Sequence, residues 1–344
     1  MASSPIAARI PKVHLHCHLE GTLRPASFVE LARRHGVPLR YKAGDDQVDR
    51  SDPYRFDGLT EFLYLFAAVS RSLREPQDYA RLAREFVEDA LAQRVIYGEL
   101  FVSPSVWTFF NPQLDVREAM EAIVAELRAA SPRASFKLLP DLTRNFGSDS
   151  AMTTARTLVA MTDLDVVGVS LGGDETRFPA SLFSDAFAYA RAHGLHCVAH
   201  AGESDGSASV RDAVELLQAE RIGHGIRALQ DPQVVEMLAS RSIALEICPT
   251  SNVRTGAALP GHPEPYVEFE RAGCIVTIDA DDPAIFQTSI EREYALVEKI
   301  AGTAGLVRYA RNAIDASFAG TAEKRAMRAQ LADAVAELPV ASRS

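Results

Sequence analysis

One pattern constrains the fold of this chain more than any other: short β-type runs that end in polar residues alternate with helix-type stretches, eight times over. The runs are Val13–His18, Tyr97–Val102, Phe136–Leu142, Val166–Leu171, His196–His200, Arg221–His224, Ile243–Ile247 and Ile275–Ile278. Amphipathic stretches such as Gln77–Arg94, Val116–Arg128, Ser150–Met161 and Phe183–His193 lie between them. Eightfold strand–helix alternation predicts an α/β fold, a single (β/α)8 TIM barrel, and not an open sheet. No Gly-x-Gly-x-x-Gly follows the first run, which argues against a dinucleotide-binding sheet.

A chain of 344 residues suits such a barrel with an insertion. No Gly/Ser linker, low-complexity tract or block of like charge divides it, so residues 1–344 are expected to form one domain. Apolar residues make up 47% and charged ones 24%, enough for a core that needs no disulfide or metal staple. With 36 Lys and Arg against 46 Asp and Glu, the net charge of −10 argues against nucleic-acid and membrane-surface partners. No run of about 18 apolar residues is present to span a bilayer. Met1–Lys12 lacks the apolar core of a secretion signal, and Cys17, Cys197, Cys248 and Cys274 form no Cys-x-x-Cys pair. A cytoplasmic location is the expectation, and no protein partner is implied.

About 80 residues separate the first two runs, against roughly 30 or more for a βαβ unit. The excess reads as an insertion over residues 22–95, after the first strand and so on the face where barrels build their sites. Within it, Gly58–Leu73 is helix-like, with Leu59, Phe62, Leu63, Phe66 and Val69 on one side. That stripe either packs on the barrel or forms a lid over an aromatic ligand.

In the first run His14, His16 and His18 share one strand face, and Val13, Leu15, Cys17 and Leu19 the other. The apolar set suits the outer helix layer, so the histidines point inward, where polar groups persist only when paired or metal-bound. His16 and His18 lie nearest the C-terminal mouth; His14 sits deeper, as a hydrogen-bonded structural residue. Other runs end in His200-Ala201-Gly202-Glu203, Ile222-Gly223-His224-Gly225 and Asp279-Ala280-Asp281-Asp282-Pro283. Each alone has a structural explanation, as a satisfied imidazole, a helix N-terminal carboxylate or an N-cap. Together they gather ligand and proton-transfer groups at one end of one barrel, the pattern of metal-assisted hydrolysis. Three His and an Asp suit Zn²⁺ better than the oxygen-seeking Ca²⁺ or Mg²⁺. Bound Zn²⁺ lowers the pKa of water toward 7, and the surplus groups, Glu203 with one more His and one more Asp, supply proton transfer. Spacing leaves open whether His200 or His224 is the third nitrogen ligand. The fourth-strand region, Val167–Glu175, has no Lys to bridge a second metal, so one Zn²⁺ per chain is expected.

The ordered motifs Pro11-Lys12-Val13-His14-Leu15-His16-Cys17-His18-Leu19-Glu20-Gly21, Leu171-Gly172-Gly173-Asp174-Glu175, His200-Ala201-Gly202-Glu203, Ile222-Gly223-His224-Gly225, Cys248-Pro249-Thr250-Ser251-Asn252 and Asp281-Asp282-Pro283 resemble those of the adenosine deaminase family of amidohydrolases. The resemblance implies that His16, His18, His200 and Asp281 hold zinc, with water as a further ligand. It implies that His224 orients and deprotonates that water and that Glu203 protonates the purine N1. Asp282 would bond N7, the Gly173 N–H would bond N3, and Leu59, Phe62 and Phe66 would lie over the sugar. Attack of zinc-bound hydroxide at C6 would then turn adenosine into inosine and ammonia, making the partner a small purine and the enzyme part of purine metabolism. No Pro-Cys-x-x-Cys is present, unlike in the zinc deaminases of nucleic-acid bases.

One departure concerns the sugar. Adenosine-specific members carry Asp where this chain has Glu20, and that Asp contacts the ribose 5′-hydroxyl. Glu here resembles relatives acting on adenine or on 6-aminodeoxyfutalosine of menaquinone biosynthesis, and Glu20 is expected to face the pocket mouth. Trp107, Phe109 and Phe110 either pack their loop or enclose a large 5′ substituent. No Lys/Arg cluster near the motifs suggests a 5′-phosphate. Two other classes are a single-metal ring amidohydrolase and a catalytically silent purine-binding barrel. The first does not need Leu171–Glu175 or the Asp281-Asp282 pair, and the second would be expected to lose Glu203 or His224.

Overall fold

The computed structural model describes residues 6–38, 52–262 and 264–338. Its strands are β1 (Lys12–His18), β2 (Val95–Val102), β3 (Ser135–Pro140), β4 (Gly168–Val169), β5 (His196–Ala201), β6 (Arg221–His224), β7 (Ala244–Ile247) and β8 (Ile275–Ile278). After β1 come α1 (Pro25–Arg34), α2 (Gly58–Ser72) and α3 (Pro76–Ala92). After β2 come α4 (Pro104–Phe110) and α5 (Val116–Arg128), after β3 α6 (Gly147–Val159), and after β4 α7 (Ser184–Ala192). α8 (Ser207–Glu215) follows β5 and α9 (Pro232–Ser240) follows β6; α10 (Pro249–Arg254) and α11 (Pro265–Arg271) follow β7. β8 leads to α12 (Ile290–Ala316), kinked at Gly302, and α13 (Thr321–Ala336).

Helix starts are written locally. Pro stands in the first turn of α1, α3, α4, α9, α10 and α11, where its missing N–H costs nothing. Asp115, Asp231 and Ser289 cap α5, α9 and α12 by accepting from backbone N–H groups of the first turn.

Every strand pair is parallel, as a βα repeat requires. One ladder runs β1-β2-β3 and another β4-β5-β6-β7-β8. Single parallel bridges link them: Leu138 to Val166 and Asp141 to Ser170 on one side, Cys17 to Asp281 on the other. The fourth strand is shorter than its apolar run, because Val166 and Ser170 hold only bridges to the β3 side. Gly168 allows β4 to approach β5, since a Cβ there would lie 2.6 Å from the His196 carbonyl oxygen.

The strand faces divide as their alternation requires. Leu15, Cys17 and Leu19 are fully buried in the large apolar layer shared with the helices. A separate small cluster of Phe101, Leu139 and Val198, with Val167 and Phe318, lies on the inner face. α2 departs from the expected stripe: its buried arc centres on Leu65 and Val69. Leu59, Phe62 and Phe66 flank that arc half-buried, and Leu63, almost opposite it at 100° per residue, is 43% exposed. The insertion expected over residues 22–95 supplies α1, α2 and α3; its stretch 39–51 lies outside the described residues. No described helix is long and apolar enough to cross a membrane.

β1 loses regular register with β2 between His14 and Cys17. The backbone donors there go instead to Asp279, whose Oδ1 accepts from Leu15 N–H at 2.7 Å and His16 N–H at 3.1 Å. Thr277 Oγ1 donates to its other oxygen at 2.7 Å. Asp279→Ala strands two buried N–H groups at about 1–3 kcal/mol each, so equilibrium urea unfolding should show a loss of about 2–6 kcal/mol. Asp279→Asn keeps an acceptor and should lose much less.

Candidate active site

The C-terminal ends of β1, β5 and β6 and the loop after β8 bring His16, His18, His200, His224, Asp281 and Asp282 together, all but His18 buried. His16 Nε2 and His18 Nε2 each lie 3.4 Å from Asp281 Oδ1, and His18 Nε2 lies 3.1 Å from His200 Nε2. Ligand atoms on a tetrahedron with bonds of about 2.0–2.1 Å are separated by about 3.3 Å. His16 Nε2 is buried without a hydrogen-bond partner, an expensive state that a cation relieves. This donor set fits a metal ion.

His224 sits one step outward, its Nε2 3.9 Å from Asp281 Oδ2 and 3.8 Å from Glu203 Oε2. Its Nδ1 donates to Asn252 Oδ1 at 2.9 Å, which leaves the Nε2 lone pair facing the carboxylates. His224 and Asp281 both hold left-handed backbone, φ 59° and 63°, the strain that non-glycine residues carry mainly at functional sites. Ser251 Oγ donates to Asp281 Oδ2 at 2.6 Å.

Glu203 leads the turn after β5, and burial pushes its carboxyl above the ordinary range, with Asp281 and Glu175 adding to the shift against His224. Asp282 is pushed well above its ordinary range by burial and by Asp281, and its Oδ1 has no partner. Gly21 makes room for it, because a Cβ there would lie 2.0 Å from Asp282 Oδ1. Gly173, at φ 105°, is exposed beside Asn145, which takes the neighbouring Asp174 N–H at 3.0 Å.

Glu20, expected at the pocket mouth, lies close enough to Asp282 and Asp141 to act on both electrostatically. It is fully buried, its Oε1 accepting from Ser103 N–H at 2.8 Å and Trp107 Nε1–H at 2.6 Å. Burial raises its pKa, and Oε2 has no partner. Trp107 packs on Tyr79, ring centroids 4.6 Å apart, while Phe109 is 62% exposed on α4 beside Phe110 and Phe146. From α2, Phe66 stands 6.1 Å from the His18 ring and Phe62 stacks on Phe286 at 4.8 Å. Leu59 is half-buried at the start of the same helix. His14 lies deeper, its Nε2 accepting from Ala280 N–H at 3.2 Å.

Sequence reasoning missed the residues that orient this set. Glu246 Oε2 accepts His16 Nδ1–H at 2.9 Å, and Arg221 joins Glu246 to Glu99, 2.5 Å to each. Glu99, Arg221 and Glu246 are charges inside apolar strand runs, and that was the available signal, since a buried charge demands a partner. Glu175, seen only as part of a motif, collects the N–H groups of Gly202, Glu203 at 3.2 Å, Ser204 at 2.9 Å and Asp205 at 3.1 Å.

Parallel strands with a His/Asp cluster at their C-terminal ends define a candidate metal-dependent hydrolase site. The family model for adenosine deaminase matches residues 11–334. An adenine deaminase of Rhodospirillum rubrum is 36% identical over 94% of this chain and 96% of its own length. An aminodeoxyfutalosine deaminase of Streptomyces avermitilis is 35% identical over 94% and 91%. Among solved structures, an adenine deaminase from Arthrobacter aurescens superposes with TM-score 0.87 at 29% identity, covering 95% of this chain and 99% of that one. A Burkholderia ambifaria amidohydrolase with bound Zn gives 0.84 at 28%, covering 98% and 96%. Arabidopsis ADAL complexed with IMP gives 0.83 at 28%, covering 96% and 98%. The chain belongs to the adenosine deaminase family, as its motifs suggested. It is a hydrolase acting on C–N bonds of cyclic amidines, a deaminase of adenine- or adenosine-like substrates.

The Glu175 contacts generate a local test. Glu175→Ala releases four amides of one turn, each hydrogen bond worth about 1–3 kcal/mol. Hydrogen exchange at Gly202 to Asp205 should accelerate by about 5- to 150-fold, with the strand amides of β5 unchanged.

Proposed function

We propose that the chain removes the 6-amino group of a purine hydrolytically, with one zinc ion on His16, His18, His200 and Asp281, and that free adenine is the substrate its site fits best. The deamination reading is carried by the pairing of Glu203, whose carboxyl burial pushes above its ordinary range, with His224, whose Nδ1 is held by Asn252 so that Nε2 faces the site. The carboxyl serves as acid and the free ring nitrogen as base. Zinc bound there supplies a water activated near neutral pH. His224 Nε2 takes the proton of the attacking water, and Glu203 gives its proton to the ring nitrogen next to C6, so that the ring accepts electrons as the C6–O bond forms. Asp282, pushed toward its protonated form, can donate to N7, and the Gly173 N–H faces N3. His224 then returns its proton to the amino nitrogen, the C6–N bond breaks with release of ammonia, and C6=O forms as the hydroxyl gives its remaining proton to the Glu203 carboxylate.

The N9 side rests on Glu20. Its Oε1 already takes two donors, and one of them is an indole. One oxygen of the longer side chain is thereby committed to Ser103 and Trp107 and withdrawn from a ribose hydroxyl. This supports a small N9 group. Adenosine itself, 6-aminodeoxyfutalosine, whose 5′ substituent would meet Phe109 and Phe110, and a nucleotide such as the IMP bound by the Arabidopsis relative are the competing ligands.

The same reading takes residues 1–344 as one domain and the two ladders as one closed (β/α)8 barrel. Closure is supported by the bridge between Cys17 and Asp281 and by those between the β3 and β4 segments. It takes residues 22–95 as a lid insertion, in which Phe62 and Phe66 of α2 cover the metal side.

Three measurements test this. Elemental analysis should find about one Zn²⁺ per chain, lost in His16→Ala and in Asp281→Ala; two metals, both required for turnover, would refute the single-ion assignment. Glu203→Gln should keep zinc while kcat falls by about 10²–10⁴-fold, and near-normal turnover would remove Glu203 from the mechanism. Ammonia release from adenine, adenosine, deoxyadenosine, 6-aminodeoxyfutalosine and AMP should rank adenine first in kcat/KM. Glu20→Asp should then move the adenosine-to-adenine ratio by about 10- to 200-fold, with metal content unchanged.

A further inference from the structure

At the N-terminal ends of the strands, away from the metal cluster, lies a second buried assembly. Arg221 opens β6 and is 1% exposed. Its Nε donates to Glu246 Oε1 at 2.5 Å, its Nη2 to Glu99 Oε2 at 2.5 Å and its Nη1 to the Ala316 carbonyl at 3.1 Å. Because the other oxygen of Glu246 accepts His16 Nδ1–H, a continuous line runs Glu99–Arg221–Glu246–His16. A cavity of about 440 Å³ reaches Arg221 from below, lined also by His196, Glu220, Asn312, Asp315 and Lys324.

Phe318, in the connection between α12 and α13, stands at the meeting of that cavity with the buried line. Its ring centroid is 3.9 Å from Arg221 Cζ, and His196 stacks on it at 3.9 Å with the planes 5° apart. Its side chain packs with Phe101, Leu139 and Val198 on the inner face. Its backbone N–H donates to Glu99 Oε1 at 2.5 Å, a contact that any residue here retains.

We propose that Phe318 is a positioning residue for the metal site at the opposite end of the strands: its flat ring, laid on the Arg221 guanidinium, keeps cavity water off the Arg221–Glu246 pair and so fixes His16. The physical basis is that charges attract more strongly where water is excluded, and that a guanidinium favours an aromatic face. With Arg221 held, Glu246 remains an aligned acceptor for Nδ1–H, and Nε2 remains the ligand lone pair. Once water reaches the guanidinium, both ions solvate separately and His16 loses its tautomer and its aim. This inference rests on the zinc site proposed above.

The test is zinc affinity of the metal-depleted full-length chain, measured by chelator competition for wild type, Phe318→Ala, Phe318→Leu and Phe318→Tyr, with far-UV circular dichroism of each. Loss of an outer partner costs about 10- to 100-fold in metal affinity, so the Ala and Leu variants should bind zinc more weakly by at least about tenfold. The Tyr variant keeps the flat ring and should bind as wild type does. Equal affinity in all four, or wild-type affinity in Phe318→Leu, overturns the role of the ring. If Phe318→Ala does not fold, the comparison of Leu with Tyr decides. A wild-type chain that binds no zinc would instead overturn the underlying metal assignment.

Discussion

Glu246 is fully buried, and its two oxygens face in different directions: one takes Arg221 Nε–H at 2.5 Å, the other His16 Nδ1–H at 2.9 Å. A lone buried carboxylate is costly by several kcal/mol. Arg221 offsets that cost, and Glu99 accepts from a second nitrogen of the same guanidinium. What the arrangement gains is orientation. Nδ1 is committed as a donor, so Nε2 points its lone pair at Asp281 and the other imidazoles. The acidic and basic groups on the inner face thus form one connected structure running from the lower cavity to the metal cluster.

The same logic recurs at the other site residues. Asn252 fixes His224, Ser251 holds Asp281, Glu175 gathers the turn that carries Glu203, and Asp279 holds the β1 backbone on either side of the register shift. His16, His224, Asp281 and the Glu203 turn are each held by a neighbour from a different strand end or loop. Such preorganisation is what keeps donors and acceptors from spending energy on realignment during reaction. It also acts on protonation: burial pushes the carboxyls of Glu203 and Asp282 above their ordinary range, toward the neutral form.

The surroundings of Glu20 are organised differently. Glu20, Ser103 and Trp107 bind one another, with Tyr79 behind the indole. Relatives named for adenine and for aminodeoxyfutalosine are about equally similar to this chain.

The alternation of strand and helix, the histidine spacing in β1 and the polar strand ends were legible in the sequence. They depend on local periodicity and on motifs a few residues long. His16, His18, His200, His224, Asp281 and Asp282 could be gathered because parallel strands bring their C-terminal ends to one face whatever their separation in the chain. The orienting partners were not legible, because Glu246 and Asn252 meet His16 and His224 across 230 and 28 residues, and nothing local marks such a pair. The choice between His200 and His224 as the inner imidazole was likewise left open by spacing. The packed structure sets His200 Nε2 against His18 and holds His224 by its Nδ1, as it holds His16, with both His200 and His224 in the His/Asp cluster. Glu20 shows the same limit: its place after β1 was legible, and only packing revealed Trp107 as its partner, because a buried indole N–H requires an acceptor.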